Sequence, residues 1–136
     1  MWAGNRGGKR RMNKDMEYKK ERDIIILFRG KHKSFRFVVV SYGTHPCCYV
    51  EIPKGHKYYK KDYDKINIDC HGGLTYSDET LPFDGFPQKD VWIIGWDYAH
   101  YGDYMGYYED IKERKWTTDE LIKECKEVIK QLEEKE

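Results

Sequence analysis

The 136-residue sequence predicts an α+β domain, a mainly antiparallel five-stranded sheet carrying one amphipathic C-terminal helix. Short runs rich in β-branched and aromatic residues recur between turn signals, as antiparallel strands do. The last twenty residues carry a capping sequence followed by apolar residues at helical spacing. A chain of this length builds one modest core rather than two.

Residues 1 to 21 are glycine-rich and basic, with Arg6, Lys9, Arg10, Arg11 and Lys14 and no hydrophobic period, so they read as a flexible arm outside the domain at 22 to 136. DIIILF (Asp23 to Phe28) is the first strand, RGKHK a turn, and SFRFVVVSY (Ser34 to Tyr42) the second, which makes a hairpin. GTHP turns the chain into CCYVEIP, the third strand. The stretch from Pro53 to Asp64, PKGHKYYKKDYD, holds too much Pro, Gly and charge for the core and reads as a basic, tyrosine-rich loop with at most a helical turn. KINIDC alternates Ile66 and Ile68 with polar residues and reads as a half-buried fourth strand, and VWIIGW (Val91 to Trp96) as a central fifth. Thr117 and Glu120 form a capping box, after which Leu121, Ile122, Cys125, Val128, Ile129 and Leu132 make one apolar stripe.

The formal charge of +1 speaks against long nucleic acid, whose binding needs many phosphate contacts, but leaves room for a small anionic nucleotide. No run reaches the ~20 apolar residues of a membrane span, and the polar N-terminus lacks a signal-peptide centre, so a cytoplasmic protein is expected. Cys47, Cys48, Cys70 and Cys125 show no CxxC pairing and are expected to be reduced thiols. Aromatic residues make up 15% of an otherwise polar chain; such rings line a core, an interface or a stacking pocket, so the enrichment raises the odds of binding without naming a ligand.

Two motifs carry the candidate chemistry, and each follows an expected strand. In HGGLTYS the pair Gly72–Gly73 permits positive φ and exposes amides to an anion, unless it is a simple turn. His71 adds a group that donates to an anion or works as acid or base near neutral pH, and Tyr76 and Ser77 add hydroxyls. In GWDYAHYGDY the spacing Asp97-x-x-His100-x-x-Asp103 brings two carboxylates and an imidazole towards one point if the chain curls. That set, completed by His71, would hold a catalytic metal; as a metal-free set, His71, His100 and Asp97 would serve a hydrolase. The plainer alternative is that Asp97 caps the turn after its strand. Trp96 offers a stacking surface, and Lys54 and His56 in the basic loop would grip phosphates.

YVEIPKGHKYYKKDYD, HGGLTYS and GWDYAH, in that order and followed by a short helix, resemble a family of small bacteriophage and prophage proteins over about Tyr49 to Leu132. The resemblance carries over His71, Gly72, Gly73, Tyr76, Asp97 and His100, while Glu51 and Tyr98 depart from the commoner YVGVPKGH and GFDCAH. It implies a phage setting, hence the host cytoplasm, and no reaction. By analogy, a phage accessory protein of this size acts on host defence. Three functions are consistent with the residues: sequestering a nucleotide-derived ligand such as a cyclic nucleotide signal, hydrolysing it, or blocking a host defence protein by contact. Sequestration accounts for rings, glycines and lysines together and is the leading expectation. No cofactor is specified.

Overall fold

A computed structural model describes residues 24–43, 45–83, 89–99 and 116–135. The basic arm, His100 and Asp103 lie outside the described residues. Five strands form one antiparallel sheet: β1 (Ile25–His32), β2 (Phe35–Ser41), β3 (Pro46–Pro53), β4 (Tyr76–Asp78) and β5 (Val91–Asp97), in spatial order β1-β2-β3-β5-β4. Helix α1 (Thr118–Glu134) packs across it, which is the expected α+β architecture. The β1–β2 hairpin closes through Lys33 (φ 50°) and Ser34 (φ 73°), the two positive φ angles that a tight primed turn requires.

Strand alternation gives the sheet two distinct faces. On one, Phe37, Val39, Val50, Ile52, Ile94 and Trp96 meet the helix stripe Leu121, Cys125, Val128, Ile129 and Leu132, all buried. Each such aliphatic side chain contributes about 1.5–3 kcal/mol through burial, so the helix is integral to the core. The capping box forms as its sequence requires: Thr117 Oγ1 accepts from the Glu120 amide at 3.2 Å, and Glu120 Oε1 accepts from the Thr117 amide at 2.9 Å. On the second face, Val38, Val40, Cys47, Tyr49 and Ile93 form a smaller cluster, with Tyr76, Leu81 and Phe83 packed against it. Gly95 is obligatory there, because a Cβ would sit 2.5 Å from Cδ1 of Tyr49, whose ring lies across it.

Three expectations are corrected: Arg29 to His32, read as a turn, continue β1, and the turn narrows to Lys33 and Ser34. KINIDC is not a strand, and the remaining strand is β4, inside the HGGLTYS motif. Ile66 and Ile68 are buried as their alternation requires, but they face the helix side of the core. The backbone of Asp69 is paired by a side chain: its amide donates to Gln131 Oε1 and its carbonyl accepts from Gln131 Nε2, each at 2.8 Å. The basic loop also reaches the core. His56 and Tyr58 are each 7% exposed, while Lys54, Lys57, Lys60 and Lys61 face solvent. Val91–Asp97 is an interior strand flanked by β3 and β4, although β3 holds the middle of the sheet. Among the described residues no helix is long and apolar enough to cross a membrane.

Candidate functional site

The site grows from the end of β5. The amide of Tyr98 bonds to the Pro46 carbonyl at 3.1 Å, which carries the strand direction one residue past Asp97 and puts Tyr98 on the helix face beside Trp96. Tyr98 is wholly buried, so its hydroxyl needs partners, and it has two. It accepts from the Trp96 indole N–H at 3.0 Å and donates to Glu124 Oε1 at 2.9 Å. The other oxygen of Glu124 accepts the amide of His71 at 2.8 Å. One carboxylate on α1 thereby joins the two motifs that the sequence singles out.

The HGG segment is a tight turn in which the Gly73 amide bonds to the Cys70 carbonyl at 3.0 Å, with Gly72 at φ 71° and Gly73 at φ 85°. A side chain at Gly72 would oppose that geometry, as expected for the third position of such a turn. The turn holds the His71 ring flat on Tyr98, with centroids 4.6 Å apart and planes 9° from parallel. Trp116, just before α1, closes the group: its ring lies 5.0 Å from His71, nearly edge-on at 67°, and 5.1 Å from Tyr98. The result is a half-buried aromatic corner braced by a carboxylate.

Burial keeps the hydroxyl and thiol groups around this corner protonated. Burial first, then the neighbouring Cys48, pushes the Tyr98 phenol far above its ordinary range. Burial, followed by the charge of Glu124, raises the Cys70 thiol to about 12, so it stays protonated at neutral pH. Cys47, on the second face, is likewise raised to about 12 by burial and by Asp97. All four cysteines are free thiols in this structure.

Of the residues expected at the site, His71, Gly72 and Gly73 come together here, whereas Trp96 supports Tyr98 from inside the core at 1% exposure, so the stacking surface expected of it is corrected. The amides do not form the expected nest, because those of His71 and Gly73 are engaged by Glu124 and Cys70. Asp97 and Tyr76 lie on the opposite face of the sheet. Asp97 pairs with Cys47 in register, accepts the Ala99 amide at 3.2 Å and receives Thr75 Oγ1 at 3.4 Å, so it caps the turn after β5. Tyr76 is set edge-on to Tyr49 at 5.4 Å, and its hydroxyl donates to the Thr80 carbonyl. Ser77 Oγ accepts the Tyr63 amide at 3.0 Å and so fastens β4 to the preceding loop. The expected convergence of Tyr76 and Asp97 with His71 is therefore corrected by alternation.

Lys54 and His56 lie at the far end of the sheet. The Lys54 amide bonds to Asp90, just before β5 begins, whereas Tyr98 follows its end. At ~3.3 Å per residue, this separation is roughly 26 Å. His56 is a structural tie: its Nε2 donates to the Leu132 carbonyl at 2.7 Å, and its Nδ1 accepts the Tyr58 amide at 3.0 Å. Both ring nitrogens are thus occupied, and the ligand contact expected of His56 is replaced by a bond to the end of α1.

Among the described residues no group of three His, Cys, Asp or Glu side chains is placed to hold a metal. A separate cleft on the second face, lined by Arg36, Val38, Tyr49, Glu51, Leu81 and Ile93, does not include the HGG turn. Sequence reasoning missed Trp116 and Glu124 as site residues, and treated Tyr98 only as a departure from the motif. Glu124 was findable as the polar residue three after Leu121 and one before Cys125, at the border of the apolar stripe. Comparison with protein-family models, with curated proteins and with solved structures finds no match to this chain.

Proposed function

We propose that the protein binds and sequesters a small nucleotide-derived ligand at the HGG turn, as a phage-type accessory protein acting against a cyclic nucleotide signal of host defence. The observation that carries this reading is the His71–Tyr98 stack, flat to 9° and flanked by Trp116. An imidazole fixed on a buried phenol is a platform for a further planar ring, and stacking of a base on such a surface contributes about 1–3 kcal/mol. Glu124 holds the His71 amide and so fixes the turn that presents the ring. The rings bear this reading alone, since Lys54 stands at the other end of the sheet.

The test is a thermal-shift panel of cyclic dinucleotides and cyclic ADP-ribose isomers. A ligand that binds only the folded state raises the melting temperature by mass action. Sequestration requires at least one such shift, with the ligand recovered unchanged by chromatography after heating. A cleaved product whose formation depends on His71 would replace sequestration with hydrolysis. Neither shift nor product across the panel would reject both and leave blockade of a host protein by contact.

A further inference from the structure

The face of the sheet opposite α1 holds a cleft that the HGG turn does not use. Its floor is formed by Val38 and Ile93, both buried, and one wall by Tyr49. Tyr49 pairs with Val38 on one side and with Gly95 on the other. Because Gly95 has no side chain, the Tyr49 ring lies over it, towards β5 and away from Val38. Tyr76 and Phe83 hold the ring there, nearly edge-on at 5.4 and 5.8 Å. The space left beside it amounts to about 340 Å³ with its open mouth counted, and Leu81, from the segment after β4, borders it. That volume is near the lower end of the ~300–1,000 Å³ of small-molecule sites.

The polar groups of the cleft are charged. Arg36 and Glu51 meet through Nε and Oε1 at 3.4 Å, with the Glu51 side chain 12% exposed and that of Arg36 46% exposed. The carboxylate is therefore the fixed member of the pair and the guanidinium the presented one. A guanidinium is a planar fork with five N–H donors, so engagement through Nε orients it while leaving donors for a second anion. Arg29 stands opposite Val38 in the ladder and is the diagonal neighbour of Arg36 on the same face. Lys31, paired with Arg36 and exposed, lies outside the cleft and adds to the positive potential at its mouth.

We propose that this cleft binds a small monocarboxylate with a compact apolar body, aliphatic or aromatic. The carboxylate meets the Arg36 fork beside Arg29, and the body lies on Val38 and Ile93 between Tyr49 and Leu81. The lining sets two guanidiniums against one carboxylate, so a single negative charge completes the balance. A phosphate monoester would bring a second charge against Glu51. The cleft is on the other face of the sheet from the His71 corner, and its ligand is independent of the nucleotide reading.

Titration of the ¹⁵N-labelled full chain with phenylacetate, followed by amide chemical shifts, is the test. Saturable shifts should centre on Val38, Tyr49, Leu81 and Ile93 and leave Gly72 and Gly73 unmoved. Phenylacetamide, the same body without the charge, should bind at least about tenfold more weakly. Arg36→Gln removes the fork, and Leu81→Ser removes an apolar wall without touching charge; each should weaken phenylacetate at least about tenfold while the spectrum stays that of the folded chain. If Arg36→Gln does not fold, Leu81→Ser decides. The proposal is overturned by the lack of saturable shifts on this face with phenylacetate and octanoate up to about 10 mM. Equal affinity for phenylacetamide, tighter binding of phenyl phosphate, or undiminished binding in Leu81→Ser would overturn it as well.

Discussion

Replacing Tyr98 with phenylalanine removes one oxygen and leaves the stacked ring in place. That oxygen accepts the indole proton of Trp96, which is 1% exposed, and donates to Glu124. Its loss strands the Trp96 N–H in the core, at about 1–3 kcal/mol, and removes a bond to a charged carboxylate. We expect a total loss of about 2–4 kcal/mol. At about 3–5 °C per kcal/mol for a domain of this size, the melting temperature should fall by roughly 6–20 °C. Urea unfolding followed by circular dichroism measures the loss, with Tyr63→Phe as the control at a position 43% exposed. A cycle with Glu124→Gln isolates the Tyr98–Glu124 coupling, which should be favourable because the two groups touch. A loss below about 0.5 kcal/mol for Tyr98→Phe, matching the control, would refute the network as the brace of the site.

Three further outcomes follow from single contacts. His56→Ala should cost about 2–4 kcal/mol by releasing the Leu132 carbonyl and opening a cavity, yet leave ligand affinity unchanged at the distant HGG turn; chemical denaturation and titration check the two halves separately. Ser34→Gly should raise stability by about 0.5–1 kcal/mol, because Ser34 holds φ 73°, and calorimetry should show the higher melting temperature. The Cys70 thiol, raised from 9.0 to about 12, keeps its proton in the folded state after the unfolded chain has lost it. The folded state therefore binds more protons between about pH 9 and pH 12, and this contribution, fully present below pH 9, is lost as pH rises through that window; alkylation of Cys70 followed by mass spectrometry should show a midpoint near the upper end, and a midpoint near 9 would contradict the burial.

The sequence makes the elements legible wherever local pattern and tertiary role agree. The β2, β3 and β5 runs and the Thr117 capping box are of this kind. KINIDC shows the limit: its alternation reports which side chains are buried, and Ile66 and Ile68 are, but it cannot report what pairs the backbone. Gln131, far along the chain, takes that place. The same distinction divides the site. The positive φ of Gly72 and Gly73 is readable from the residues themselves, whereas the partners of His71 depend on which face of β5 each neighbour occupies. Alternation from Ile94 and Trp96 already sets Tyr98 with the helix and Asp97 against Cys47, and applying it would have separated His71 from Asp97. The carboxylate that brings the motifs together comes from the helix, and only packing reveals it.

The proposed sequestration requires that ligand bind at the His71–Tyr98–Trp116 corner. Isothermal titration of whichever cyclic nucleotide raises the melting temperature, against the parent, His71→Ala and Lys54→Ala, tests it most directly. Loss of the stacked imidazole should weaken binding at least about tenfold, the equivalent of ~1.4 kcal/mol, while Lys54→Ala stays within about twofold. Undiminished affinity in His71→Ala, or a loss confined to Lys54→Ala, would contradict the claim and move the site to the basic loop.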